Sequence, residues 1–87
     1  MEVLGRDSIR EAYRVATGGP DGPRLVGLIP DGAIAEGLAL TGGRGHQTAY
    51  EWLARHAGEI ETALTALGKG KRPRRAPFDR IELVEDT

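Results

Sequence analysis

The sequence predicts a small α+β domain: a three-stranded sheet with two helices packed on one face, in the order β-β-α-α-β. Three observations carry that expectation. Many of the 13 glycines and 5 prolines gather in breakers around 18–23, 41–45 and 68–77, where loop chemistry separates the elements. One long segment between them has helical spacing. Two short segments are apolar or alternating, as strands are. Eighty-seven residues suffice for one small core and one domain, residues 1–87.

Ser8–Thr17 has two readings. As a helix, Ile9, Ala12, Tyr13 and Ala16 share a face, and Ser8 with Glu11 matches a capping box. As a strand, Ile9, Glu11, Tyr13 and Val15 share one side. The strand is adopted, because the other strands need a partner and a hairpin across residues 18–23 would provide one. Arg24–Ile29 is a short apolar run bounded by prolines, expected to be a buried strand.

Asp31–Leu40 is expected to be a helix, with Asp31 capping its first turn and Ile34 and Leu38 paired at i, i+4. Gln47–Leu67 is the longest helix. Leu53, Ala57, Ile60, Leu64 and Leu67 recur at spacings of three and four, with Trp52 beside the stripe. Gly58 interrupts it and suggests a close neighbour; Gly68 is the expected C′ residue. Phe78–Val84 alternates and closes the sheet as a strand.

Composition excludes several function classes. Cysteine is absent, so there is no disulfide framework or thiolate chemistry. No apolar run approaches the ~20 residues that span a bilayer, and Met1-Glu2-Val3-Leu4 lacks the basic-then-apolar start of a signal peptide. A cytoplasmic protein is expected. The formal net charge of −1 provides no whole-molecule basic field.

Catalytic arrangements are not evident. Ser8 is the only serine, and the two histidines, His46 and His56, stand ten residues apart, without a nucleophile, base and orienting group in sequence proximity. His56 and Glu59 at i, i+3 could touch one ion, but His46 would have to fold back as a third ligand. The carboxylate pairs Glu59/Glu61 and Glu85/Asp86 have no spacing that argues for a shared cleft. No enzyme activity, metal or cofactor is expected.

Two features point to anion binding. Gly42-Gly43-Arg44-Gly45 stands immediately before the longest helix. Unpaired N–H groups and the dipole at a helix start favour an anion, glycines allow close approach, and Arg44 and His46 can donate to it. Lys69-Gly70-Lys71-Arg72-Pro73-Arg74-Arg75 places five positive charges in seven residues. Since the chain nets −1, the remainder carries −6. Such a segment neutralises phosphates or meets an acidic protein surface.

A strand, a short helix, a Gly-x-x-Gly turn, a second helix and a strand over residues 24–84 resemble the core of KH domains. Gly42 and Gly45 stand as the two motif glycines, and Thr48 occupies a position where an apolar residue is usual. The resemblance implies that the turn clamps the backbone of a single-stranded nucleic acid. The chain is also similar to a family of short bacterial proteins of unknown function in Gly32-Ala33-Ile34, Glu59-Ile60, the basic segment and Phe78-Asp79 to Val84-Glu85-Asp86; that likeness implies only a small α+β fold.

The expected function is therefore a non-enzymatic nucleic-acid-binding module. Its site would comprise Gly42, Gly43, Arg44, Gly45, His46, Lys69, Lys71, Arg72, Arg74 and Arg75, and its partner would be single-stranded nucleic acid. The alternative is a small regulatory module, comparable in size to phage-encoded inhibitors, that meets an acidic protein surface or forms a homodimer through Trp52.

Overall fold

The structure, a computed structural model, describes residues 1–18, 24–41 and 45–84, the side chains of residues 40, 41 and 45–48 excepted. Four strands form one antiparallel sheet: β1 Glu2–Asp7, β2 Ala12–Thr17, β3 Leu25–Pro30 and β4 Glu82–Val84. Their order in space is their order in the chain. Between β3 and β4 lie α1 Asp31–Thr41, α2 Gly45–Arg55, α3 Ala57–Gly68 and a 3₁₀ turn, Phe78–Arg80. The α+β class is as expected, but the sheet has four strands rather than three, and three helices replace two.

The additional strand is β1. Glu2–Asp7 contains only Val3 and Leu4 as large apolar residues, so its alternation is faint. It pairs along β2 with a bulge between Val3 and Gly5, and Met1 and Val3 pack against the core. The segment Ser8–Thr17 is a strand only from Ala12. Ser8–Glu11 makes the hairpin turn instead, because Asp7 Oδ1 accepts the N–H groups of Ile9 and Arg10 at 3.1 Å each. That arrangement is an Asx turn, which competes locally with a helix start.

The register sets Tyr13 opposite Ile29 and Val15 opposite Gly27, and this side of the sheet meets the helices. Tyr13, Val15 and Ile29 join Ile34 of α1, Trp52 and Leu53 of α2, and Ile60 and Leu64 of α3 in one buried cluster. Ala12, Ala16, Val26 and Leu28 occupy the alternate positions and are also buried. Deleting a side chain such as Leu64, fully buried, belongs to the class of change that costs about 2–5 kcal/mol.

α1 begins at Asp31, whose N–H donates to Glu11 O at 2.9 Å. Arg6 reaches its carboxylate with Nε at 3.3 Å and also with Nη2, which ties β1 to the helix start. Gly37 lies against the indole of Trp52; a Cβ there would stand 2.6 Å from the ring. A residue that lowers helix propensity thus makes room for the largest side chain of the core.

The expected helix Gln47–Leu67 is two helices. His56 leaves helical geometry at φ −102°, ψ 19°, although hydrogen bonds continue through the break from His56 N to Trp52 O and from Ile60 N to His56 O. The His56 ring lies 4.7 Å from Trp52 and 6.1 Å from Phe78, and its Nδ1 meets Glu59 Oε1 at 2.7 Å. Gly58 has open space around it, so it marks no close approach; it sits beside the kink.

α3 ends one turn-residue later than expected. Gly70 N–H donates to Leu67 O at 3.0 Å and Lys71 N–H to Ala66 O at 2.8 Å, the paired bonds of a Schellman cap. Gly70, at φ +79°, is therefore the C′ residue, and Gly68 is the last residue of the helix. The closing segment differs too. Phe78 and Ile81 are both buried, a three-residue spacing suited to the 3₁₀ turn, and among the described residues of this segment Glu82–Val84 alone pairs with β3.

Candidate nucleic-acid interface

Lys69–Arg75 turns back after the Schellman cap. Pro73, Arg74 and Arg75 then lie beside Glu59, Thr62, Ala63 and Ala66 of α3, so the basic segment forms a strap along the outer side of that helix. Prolines suit this path because Pro73 has no N–H to leave unsatisfied and holds φ in the extended range. The peptide Ala76–Pro77 is cis, and Phe78 follows it into the core, stacked 5.9 Å from Trp52. One end of the strap is thus fixed by the helix cap and the other by a buried aromatic ring.

The five cations differ in how they are held. Lys69 caps α3 through its backbone, donating to Thr65 O and Ala66 O; its charge and that of Lys71 stand at the negative end of the helix dipole. Arg72 Nη1 donates to the carbonyl oxygen of Asp79 at 3.1 Å, which orients the guanidinium without neutralising it. Arg75 Nη1 approaches Glu59 Oε2 at 3.6 Å while remaining 81% exposed. Among the described residues, Lys69, Lys71, Arg72 and Arg74 face no carboxylate partner. Every one of the five is exposed.

Two depressions flank Thr62 and Ala66. One, of about 290 Å³, lies between α3 and the strap, over Ala63 and Phe78, with Arg74 and Arg75 at its rim. The other, about 470 Å³, carries Lys69 and Lys71 and reaches Gly58, Glu61 and Thr65. Thr62 Oγ1 and Thr65 Oγ1 donate to Gly58 O and Glu61 O, both at 2.9 Å, so their hydroxyl protons are already used within the helix.

The acidic groups nearest the strap are themselves engaged. Glu59 is held by both His56 and Arg75. Glu61 lies 3.0 Å from the Met1 amino group and 3.4 Å from Thr17 Oγ1. The two carboxylates therefore serve different contacts. With Nδ1 of His56 turned to Glu59, Nε2 is buried without a hydrogen-bond partner among the described residues, against Trp52 and Phe78.

The expected Gly-rich site falls only partly within reach. Gly42, Gly43 and Arg44 lie outside the described residues, as do Glu85 and Asp86; Gly45 and His46 are the first residues of α2 in backbone. Ser8 is an exposed residue of the hairpin turn. No group of three His, Asp or Glu side chains gathers among the described residues. No helix among them is long and apolar enough to cross a membrane. Trp52, 5% exposed, is a core residue and offers no surface for self-association.

No family model, curated protein or solved structure matches the chain. Thr62, Ala66, Pro73 and Phe78 join the expected cations only because the strap folds back; in the sequence Thr62 and Ala66 are ordinary surface residues one helical turn apart.

Proposed function

We propose that the chain is a non-enzymatic nucleic-acid-binding module whose strap of Lys69, Lys71, Arg72, Arg74 and Arg75 tracks a phosphate backbone. The observation that supports it is the exposure of all five cations on a segment anchored at both ends. Anchoring lowers the ordering cost on binding, and exposure leaves the charges ready to displace counterions. The Gly42-Gly43-Arg44-Gly45 sequence, on its KH-like pattern, would add a second phosphate contact.

Five phosphate contacts give log K falling with log salt at a slope of about −4, with micromolar affinity near physiological salt. Fluorescence anisotropy with labelled oligonucleotides across a salt series tests this. Alanine at the five basic positions should abolish most of the slope. Absence of binding at low salt, or an unchanged slope in that variant, refutes the proposal.

A regulatory protein-binding role is the second reading. Ile9, 94% exposed at the tip of the β1–β2 hairpin, favours it, since a large apolar side chain on a constrained turn is a typical anchor. Ile9→Ser should then weaken partner capture while leaving the salt slope for oligonucleotides unchanged. Recovery of nucleic acid alone by both proteins argues against this role.

A further inference from the structure

Resting on the nucleic-acid reading above, we infer that the groove between α3 and the strap seats one unpaired base, so that the ligand is single-stranded. The groove holds about 290 Å³, near the lower end of small-ligand pockets, roughly 300 Å³. That space is sufficient for a single ring system. Its apolar lining is Ala63, Ala66, Pro73 and Phe78, and its charged lining is Arg74, Arg75 and Glu59.

A partly apolar groove bordered by Arg74, Arg75 and the Glu59 carboxylate that pairs with Arg75 suits a flat, weakly polar ring joined to an anion through a sugar-sized spacer. A nucleotide has that form. Its base would lie in the slot and its phosphate on the rim. Arg74 has no carboxylate partner among the described residues, so its planar head is available to stack on the base or pair with the phosphate. Lys69 and Lys71, in the neighbouring depression that shares Thr62 and Ala66, continue the cationic track for the next phosphate.

Electrostatics alone favours a duplex, whose charge density is higher and whose salt slope per contact is steeper. A base in the slot reverses that order, because a duplex base must first be unpaired and unstacked, at a cost of roughly a few kcal/mol. The sign of the preference therefore separates a slot from a bare cationic strap.

The test compares a dT12 strand with a 12-base-pair duplex at matched salt. The wild-type protein should bind the single strand at least tenfold more tightly. Thr62→Leu and Ala66→Leu, each filling the slot from the helix side, should reduce that preference to about unity. Amide spectra establish that each variant keeps the fold. In the wild-type protein, uridine monophosphate should shift the amide signals of Thr62, Ala63 and Ala66, and inorganic phosphate should not. Equal or stronger duplex binding, or slot variants that keep the preference, overturns the slot and leaves the strap. Failure to bind either nucleic acid overturns both.

Discussion

Arg75 and Glu59 face each other at 3.6 Å across the mouth of the groove, and the same carboxylate meets His56 Nδ1 at 2.7 Å. The carboxylate occupies one of the five cations that a phosphate would need. Glu59→Gln should therefore tighten oligonucleotide binding by about two- to fivefold, the range set by exposed pairs worth roughly 0–1 kcal/mol. Anisotropy titrations at fixed salt read this directly. An unchanged or weaker affinity shows that Glu59 does not compete for Arg75.

Gly37 and Trp52 set opposing terms against one another. Gly37→Ala gains about 1 kcal/mol of helix propensity. The new Cβ, however, stands 2.6 Å from an indole ring held between His56 at 4.7 Å and Phe78 at 5.9 Å. Overpacking of this kind costs about 1–3 kcal/mol, and the ring has little room to retreat. Net destabilisation of about 1 kcal/mol is expected from urea midpoints; a variant as stable as the parent would show that the indole can shift freely.

The elements with strong local chemistry were legible in the sequence. Asp31 opens α1 where a start was expected, and the apolar run before it is β3. β1 was missed because two apolar residues in six give almost no period, and its place is set by pairing with β2 rather than by its own side chains. The kink at His56 has no proline or glycine at that position; ring contacts with Trp52 and Phe78, distant in sequence in the second case, hold it. For the candidate site, residue type announced five cations but could not say that Arg75 meets Glu59 or that Arg72 leans on Asp79 O. The slot was invisible because it exists only where Thr62 and Ala66 meet a returning segment.

The choice between Gly68 and Gly70 was likewise beyond a one-dimensional pattern, and it makes a prediction. Gly70 has φ +79° and closes the cap, whereas Gly68 is helical. A side chain in the left-handed region costs about 1–2 kcal/mol, so Gly70→Ala should lose roughly 1 kcal/mol. Gly68→Ala places a Cβ 3.2 Å from the flexible end of Leu25 and should change stability less. Thermal melts of the two variants check the order, and a reversed order contradicts the cap assignment. Loosening of the cap should also weaken oligonucleotide binding by Gly70→Ala, since the strap begins there.

Tyr13 gives the protein a pH-dependent stability in the alkaline range. Burial raises its pKa above the ordinary value, the nearby Tyr50 and Asp31 raise it further, and Arg6 opposes them. In the unfolded chain the hydroxyl ionises near pH ~10, whereas the folded protein holds the proton to higher pH. The unfolded state therefore binds fewer protons in that window, and stability falls as pH rises. The stabilisation is fully present below pH ~10 and is lost as pH climbs through the folded-state value. Tyr13→Phe removes the titrating group, so the wild-type stability should decline relative to the variant as pH rises above about 10. Urea midpoints for both proteins across that range measure the difference. A difference that stays flat means Tyr13 ionises alike in the folded and unfolded chains.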